Sequence, residues 1–257
     1  MPKNIRAILN IFILSISIFL YSLAHAADKD IKIPFKPGEK FTFDVRWEFI
    51  KAGSAELRIL PFKEVNGEKV FRFHMTAKTT KFIDTFYKIR DTYESFTTID
   101  MGHSIHYRKK KEGHRKKDAT VKFDWVKQEA LYVSGNEKWV PIPIMPGSFD
   151  PLSIYYAFRL YDLKVGKEIA VPITDGKKCV EGTARVIKRE KIKIEMGEFD
   201  SFLVEPETKD IGGVFAKSKD ARILIWVTAD KKKIPLKFKS KVIVGSFIAE
   251  LTSVEGL

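Results

Sequence analysis

Residues 39–49 read EKFTFDVRWEF, and polar and apolar side chains alternate along most of this stretch. The apolar set, which falls on one face, is Phe41, Phe43, Val45, Trp47 and Phe49. A repeat of two residues is the period of a β-strand with one buried face. We therefore expect a strand here, with Phe41 to Phe49 facing a hydrophobic core.

Other segments of the chain show the same alternation. Residues 55–59, 71–76 and 121–125 alternate, and turn-forming pairs such as Asn66-Gly67, Glu112-Gly113 and Ser134-Gly135 separate the runs. A sheet with one wet face is antiparallel, and a sheet of ten or more twisted strands curls. The sequence predicts a mainly β protein, a curved antiparallel sheet or partly open β-barrel, built from two similar halves.

One main helix is expected between the halves, near residues 150–163. Asp150 is a good N-cap, Pro151 suits the first helical position, and apolar residues follow at helical spacing. Four turn landmarks recur about 130 residues apart, which indicates an internal duplication. The alternative is a regular meander that spaces its glycines evenly. The halves, residues 35–147 and 163–257, would form one domain over residues 27–257.

Residues 1–26 have the pattern of a secretory signal peptide. Lys3 and Arg6 precede a mostly apolar stretch, and residues 24–26 read AHA, so cleavage is expected between Ala26 and Ala27. An uncleaved membrane anchor is the alternative. We expect an exported, periplasmic protein. It contains one cysteine, Cys179, so no internal disulfide can stabilise it.

The charge balance is basic, with 46 Lys and Arg against 33 Asp and Glu and a formal net charge of +13. Seven basic residues form what we call the basic hairpin: Arg108, Lys109, Lys110, Lys111, Arg115, Lys116 and Lys117. Such a cluster attracts anions, so we expect contact with an anionic membrane surface. The simpler alternative is a solvated hairpin that discourages edge-to-edge aggregation. The export signal argues against nucleic acid as a partner.

A possible ligand site involves Asp91, which shares a strand face with Tyr93. Arg159, on the expected helix, is a candidate counter-ion for Asp91. The pair would be either a structural ion pair or a ligand clamp, since a buried carboxylate needs a partner. The candidate ligand-binding residues are Asp91, Arg159, Trp47 and Tyr93.

Recognisable catalytic motifs are missing from the sequence. His103 and His106 lack a third ligand at metal-site spacing, so neither a metal nor another cofactor is expected. We expect a non-catalytic envelope protein that binds a lipid or another anionic amphiphile in or near the curved sheet. One alternative is a structural scaffold for another envelope protein. A second is a hydrolase of envelope lipids or glycans, for which the acids to inspect are Asp91, Glu94, Asp150 and Asp230.

Several of these segments together resemble the domain-of-unknown-function 3108 family of exported bacterial proteins. The matching residues are Pro37-Gly38-Glu39, Trp47, Ala52-Gly53, Tyr87 to Asp91 with Tyr93, Asp150 to Ser153 with Arg159, Trp226 with Asp230 and Pro235, and Gly245-Ser246. The resemblance covers nearly all of the chain after residue 26. It implies a periplasmic β-rich fold, similar in outline to curved-sheet proteins that carry or contact lipids at the outer membrane. It brings no catalytic residues with it.

Overall fold

The computed structural model describes residues 32–114, 116–208, 222–242 and 245–257. Arg115, the predicted signal peptide and its cleavage site lie outside these ranges. Residues 33–257 form one compact unit, which contains the whole sheet and its own core, so this unit is expected to fold by itself. No helix within the described ranges has the length and apolar character needed to cross a membrane.

The described residues form fifteen strands and two short helices. The first nine strands are β1 (Lys40–Trp47), β2 (Ile50–Val65), β3 (Glu68–Thr79), β4 (Arg90–Thr98), β5 (Ser104–Glu112), β6 (Lys116–Asp124), β7 (Glu129–Ser134), β8 (Glu137–Lys138) and β9 (Ile142–Pro143). The other six are β10 (Glu168–Thr174), β11 (Cys179–Ile194), β12 (Gly197–Pro206), β13 (Arg222–Thr228), β14 (Pro235–Val242) and β15 (Gly245–Glu255). The helices are α1 (Lys81–Asp84) and α2 (Ser153–Phe158).

All of these strands belong to one sheet with antiparallel pairing between its strands. Its order runs from β10 to β15 and continues from β1 to β8, while β9 pairs with β7. The pairing of β15 with β1 joins the later part of the chain to the earlier part. The prediction of a mainly β, curved antiparallel fold is therefore confirmed. The internal duplication stays a prediction.

The sheet curls until its β10 edge approaches its other edge, near β6 to β9. The Phe149 N–H donates to the Pro172 carbonyl at 2.9 Å, and the Thr174 N–H donates to the Phe149 carbonyl at 2.9 Å. Gly176, in the turn after β10, packs so closely on β6 that a Cβ there would lie 2.8 Å from a methyl carbon of Val121. Its φ of +80° also favours glycine. The result is a strongly curved open sheet that resembles a partly closed barrel.

The strands of the curved sheet run between two opposite sets of turns, which we name the rim and the base. The rim holds the β1–β2 turn, the α1 connection and the β5–β6 turn, whereas the base holds the β2–β3, β4–β5 and β6–β7 turns. Helix α2 lies on the concave face between them. Its Tyr156 ring stacks on the Phe73 ring of β3 with 3.9 Å between the ring centroids. Its Tyr155 ring contacts the Phe238 ring of β14 with a centroid distance of 5.7 Å. The helix therefore bridges two distant strands of the sheet.

The expectation for Phe49 is wrong. Strand β1 ends at Trp47, and Phe49 lies in the following turn with 89% of its surface exposed. Glu48 adopts a left-handed conformation with φ of 51°, which reverses the chain before Phe49 can continue the alternation. Only the first part of the pattern is buried, because Phe41 and Phe43 are the two members that reach the core.

The helix expected over residues 150–163 is shorter in the structure, where α2 spans Ser153–Phe158. Beyond its end, the N–H groups of Arg159, Leu160 and Tyr161 donate to carbonyls three residues back. Such bonds tighten the last turn and end an α-helix. The short helix α1 was not predicted from the sequence.

Candidate functional site

The basic hairpin is divided by the pleat of its two strands, because successive side chains point to opposite faces. Arg108 and Lys110 lie on the convex face, where they pair with Asp118 and Glu112, each at 2.6 Å. Three lysines of the same hairpin lie on the concave face: Lys109, Lys111 and Lys117. Among the described residues of the hairpin, these three face the inside of the curved sheet.

Cross-strand pairing arranges the concave face in rows. The deepest of three successive rows is fully buried and contains Ile59, Phe73, Ser95, Tyr107, Val121 and Tyr132. The next row toward the rim contains Leu57, Met75, Tyr93, Lys109 and Ala119. The third contains Ala55, Ala77, Asp91, Lys111 and Lys117, all partly exposed. The interior is thus packed at depth and becomes open and charged toward the rim.

Lys109 carries a charge that no ion pair compensates among the described residues. It is partly buried, and within the described ranges no carboxylate lies at ion-pair distance from it. Burial lowers the pKa of Lys109 from its ordinary value, because desolvation penalises the ammonium. The charges of Lys117 and Lys111 lower the pKa further, whereas Asp175 and Tyr132 raise it. An anion bound beside Lys109 would stabilise its charged form.

Asp91 and Tyr93 lie on the concave face beside these lysines, as their shared strand face predicted. The Lys111 ammonium is 3.1 Å from an Asp91 carboxylate oxygen, and the Tyr93 hydroxyl donates to the same oxygen at 3.0 Å. Burial and the charge of Asp91 both raise the pKa of Tyr93 above its ordinary value. Tyr93 therefore stays a neutral hydrogen-bond donor, and Asp91 is already engaged by two partners.

Two aromatic rings complete the basic side of the site. The Lys177 ammonium lies 4.0 Å from the ring centroid of Trp139 and 4.6 Å from that of Tyr132. Lys117 lies 5.5 Å from the same Tyr132 ring. Such cation–π contacts hold the two ammonium groups without neutralising them. The buried Tyr132 hydroxyl has no hydrogen-bond partner among the described residues.

An apolar row lies on the same concave face, and β2, β3 and β4 separate it from the lysine-bearing strands β5 and β6. Register places Val45, Ala249 and Phe238 side by side on β1, β15 and β14, and all three are partly exposed. Tyr155 of α2 contacts Phe238 and keeps 39% of its own surface exposed. We use the name concave site for this apolar row together with Asp91, Tyr93 and four lysines, Lys109, Lys111, Lys117 and Lys177. It combines a basic part with an apolar part.

Arg159 does not pair with Asp91, so that expectation is wrong. Its guanidinium forms a buried pair with Glu39, with an Nη2–Oε2 distance of 3.0 Å, and its Nε donates to the Lys232 carbonyl at 2.8 Å. Helix α2 ends just before Arg159 and directs its side chain toward the start of β1. Arg159 is therefore part of a buried structural network rather than of the concave site.

Trp47 lies at the rim, at the end of β1. It is 39% exposed, and its ring stacks on Phe247 at 6.4 Å. Val45, which belongs to the apolar row, precedes Trp47 by two residues on β1. Trp47 therefore lies beside the entrance to the concave site rather than within it.

The four acids proposed for a hydrolase do not converge. Glu94 points to the convex face of β4, away from Asp91, and pairs with Arg72 at 2.6 Å. Asp230 lies in the β13–β14 turn at the base and accepts hydrogen bonds from Thr228 and two backbone N–H groups. Among the described residues, no three His, Cys, Asp or Glu side chains lie in a metal-binding cluster.

Asp150 is fully buried and fully hydrogen-bonded. One carboxylate oxygen accepts from the hydroxyls of Ser95, Ser104 and Ser153 at 2.5, 2.6 and 2.8 Å. The other accepts from the N–H groups of Leu152 and Ser153 at 2.8 and 3.0 Å. A carboxylate with five donors at the start of α2 fixes the helix to β4 and β5. Its role is structural.

Comparison with known protein families shows to which family the chain belongs. The family described as "Protein of unknown function (DUF3108)" matches residues 42–252. The chain belongs to this family. The match confirms the resemblance seen in the sequence. A search of curated proteins gave no match.

Two solved structures are similar to this DUF3108 protein, and the first of them supports its fold. One is a crystal structure of a β-barrel-like protein of domain of unknown function DUF1849 from Brucella abortus, with a TM-score of 0.52 and 13% identity. That similarity covers 85% of this chain and 97% of the other. Another is a "putative lipoprotein" from Parabacteroides distasonis ATCC 8503, with a TM-score of 0.33, 8% identity and coverage of 85% and 95%.

Two grooves on the convex face of this DUF3108 protein have volumes of about 590 and 360 Å³. The larger contains the Arg222–Glu205 pair, and the smaller contains the Arg108–Asp118 pair. In each groove the two charged residues of the pair are exposed and neutralise each other. The concave site is the better candidate, because Lys109 has no such partner.

Sequence reasoning missed several residues that matter in the structure. Glu39 has the same strand parity as Phe41, so the alternation could have indicated a buried carboxylate in need of a partner. Lys177 reaches the Trp139 and Tyr132 rings because the sheet curls. No local pattern links Lys177 to the basic hairpin, since 60 or more residues separate them.

Proposed function

We propose that this protein is a non-catalytic binding protein of the bacterial cell envelope, and that it holds a single-chain anionic amphiphile in the concave site. The observation that carries the proposal is that Lys109, Lys111 and Lys117 face inward on the same concave face as a partly exposed apolar row. The predicted signal peptide supports the envelope as the location.

The basic part of the concave site suits an anionic head group. Its charged residues are Lys109, Lys111, Lys117, Lys177, Asp91 and Asp175. Asp91 is paired with Lys111, and Asp175 accepts from the backbone N–H of Lys177 at 3.0 Å. The cluster therefore retains an excess of positive charge. A phosphate or carboxylate would supply the missing counter-charge, and charge-assisted hydrogen bonds at a desolvated site are strong.

The apolar part suits the chain of such a ligand. Met75, Phe238 and Tyr155 present carbon surface that the protein itself leaves partly exposed. Covering apolar surface contributes about 25 cal/mol per Å². A ligand with both a charged head and an apolar chain would therefore gain free energy from both parts of the concave site.

Calorimetric titration with dodecyl phosphate tests the proposal directly. We expect saturable binding of dodecyl phosphate below its micelle-forming concentration. Inorganic phosphate and dodecyl maltoside should each bind at least about tenfold more weakly, because each lacks one of the two recognised parts. Equal binding of dodecyl phosphate and dodecyl maltoside would contradict a role for the lysines.

A pair of double variants provides the matched control. Lys109→Met with Lys117→Met removes two inward charges and should weaken dodecyl phosphate binding by about tenfold or more. Lys110→Met with Lys116→Met removes two outward charges from the same hairpin and should leave the affinity nearly unchanged. Equal losses in the two double variants would show that only the net charge of the hairpin matters.

A further inference from the structure

The rim carries a group of exposed aromatic side chains. Phe49 in the β1–β2 turn is 89% exposed, and Phe82 and Phe86 in the α1 connection are 63% and 71% exposed. The Phe82 and Phe86 rings contact each other at 5.7 Å, and Tyr87 beside them is 40% exposed. Large apolar side chains grouped in this way indicate an interaction surface.

Backbone contacts hold the segments that carry these aromatic residues together. The Thr80 N–H donates to the Ala52 carbonyl at 2.9 Å, which ties the α1 connection to the start of β2. The His114 N–H donates to the Lys88 carbonyl at 2.7 Å, which ties the α1 connection to the β5–β6 turn. Three connections of the sheet therefore form one continuous edge of the unit.

Uncompensated positive charge accompanies the aromatic residues. Lys78, Lys81, Lys88 and Lys116 are exposed at the rim, and within the described ranges none has an ion-pair partner. The acids nearby are already engaged, since Asp84 pairs with Arg90 at 2.5 Å and Glu112 pairs with Lys110. The rim therefore combines aromatic side chains with unpaired lysines.

We propose that the rim docks on the surface of an anionic phospholipid bilayer. Aromatic side chains favour the membrane–water interface, and lysines near an anionic leaflet are attracted to its head groups. The charge complementarity selects an anionic bilayer rather than a neutral one. Docking would turn the open end of the concave site toward the membrane, but it does not depend on whether that site holds a ligand.

Sedimentation with vesicles tests the docking surface, using the chain from residue 27. We expect binding to vesicles of phosphatidylglycerol and phosphatidylcholine, and much weaker binding to phosphatidylcholine alone. The triple variant Phe49→Ser, Phe82→Ser and Phe86→Ser should weaken binding to the anionic vesicles by about tenfold or more. These side chains are exposed, so the variant should keep the thermal stability of the unchanged protein.

The matched control changes three exposed apolar residues in turns at the base: Ile99→Ser, Val126→Ser and Met196→Ser. This variant should bind anionic vesicles as the unchanged protein does. Equal losses in the two triple variants, or equal binding to neutral and anionic vesicles, would overturn the proposal.

Dodecyl phosphate titration separates the docking surface from the concave site. The rim variant should retain affinity for dodecyl phosphate, whereas the variant Lys109→Met with Lys117→Met should retain vesicle binding. Loss of vesicle binding in the lysine variant with retention in the rim variant would overturn the rim as the docking surface. Failure of dodecyl phosphate to bind would refute only the proposed function.

Discussion

Neighbouring lysines in the basic hairpin have different surroundings because strand side chains alternate between faces. Lys110 points to the convex side and pairs with Glu112, whereas Lys109 lies on the concave side beside Tyr93 of the neighbouring strand. The sequence shows the seven basic residues as one cluster. Their alternation could be read from the sequence, but which face becomes concave depends on the curvature of the whole sheet.

The buried pair of Glu39 and Arg159 should be essential for stability. Glu39→Gln leaves the Arg159 guanidinium buried without its counter-charge, beside the Phe35 ring at 5.0 Å. Breaking one side of a buried pair costs about 3–5 kcal/mol, and we expect a loss of that size in the free energy of unfolding. Urea unfolding followed by circular dichroism measures it.

The matched control for this change is Glu255→Gln, which removes the exposed partner of Lys40. Exposed pairs contribute little, so this variant should unfold at nearly the same urea concentration as the unchanged protein. Equal destabilisation by the two variants would contradict the buried role of Glu39.

Elements with a strict two-residue period were predictable from the sequence, and the elements that depend on distant contacts were not. Strand β1 and the Asn66-Gly67 turn follow from local pattern, and both residues of that turn have positive φ as the pair requires. The length of α2 was overestimated because its last turn is set by tertiary contacts. The partner of Asp91 was also missed, since nothing in the sequence distinguishes Lys111 from Arg159.

The β10–β11 turn closes the sheet against β6, and Gly176 should be required for this contact. Gly176→Ala places a methyl group against Val121 and should lower the free energy of unfolding by about 1–3 kcal/mol beyond the cost of positive φ. Gly166→Ala is the control, because Gly166 has a similar φ of +83° and no neighbour within 4 Å of an added Cβ. Thermal melts that shift equally for both variants would refute the close packing.

At the scale of the whole molecule, the concave face changes from a packed interior near the base to a charged and partly exposed surface near the rim. An alternating apolar face can enclose either a filled core or a binding hollow. In the structure the deepest row of the concave face is buried, whereas the row nearest the rim, with Ala55, Asp91 and Lys111, is partly exposed. Local alternation could not predict this, since the same apolar residues would line either arrangement.

Stability of the whole molecule should fall as the solution becomes mildly acidic. Burial lowers the pKa of His74, His103 and His106 below the ordinary value of 6.5. The unfolded chain therefore binds protons first, so stability that is present above this value is lost as the pH falls through the folded-state pKa values.

Urea unfolding at about pH 7.5 and about pH 5.5 measures this dependence. The variant that carries His74→Gln, His103→Gln and His106→Gln should lose less stability between the two conditions than the unchanged protein does. If the triple variant loses as much stability as the unchanged protein, the three partly buried histidines are not the cause.

The central claim is that the curved sheet directs Lys109 and Lys117 into a binding site and Lys110 and Lys116 away from it. Acetylation of individual lysines, followed by mass spectrometry with and without dodecyl phosphate, tests this claim most directly. We expect dodecyl phosphate to slow the modification of Lys109 and Lys117 and to leave the rates at Lys110 and Lys116 unchanged. Protection of all four lysines to the same extent, or of Lys110 and Lys116 alone, would contradict the claim.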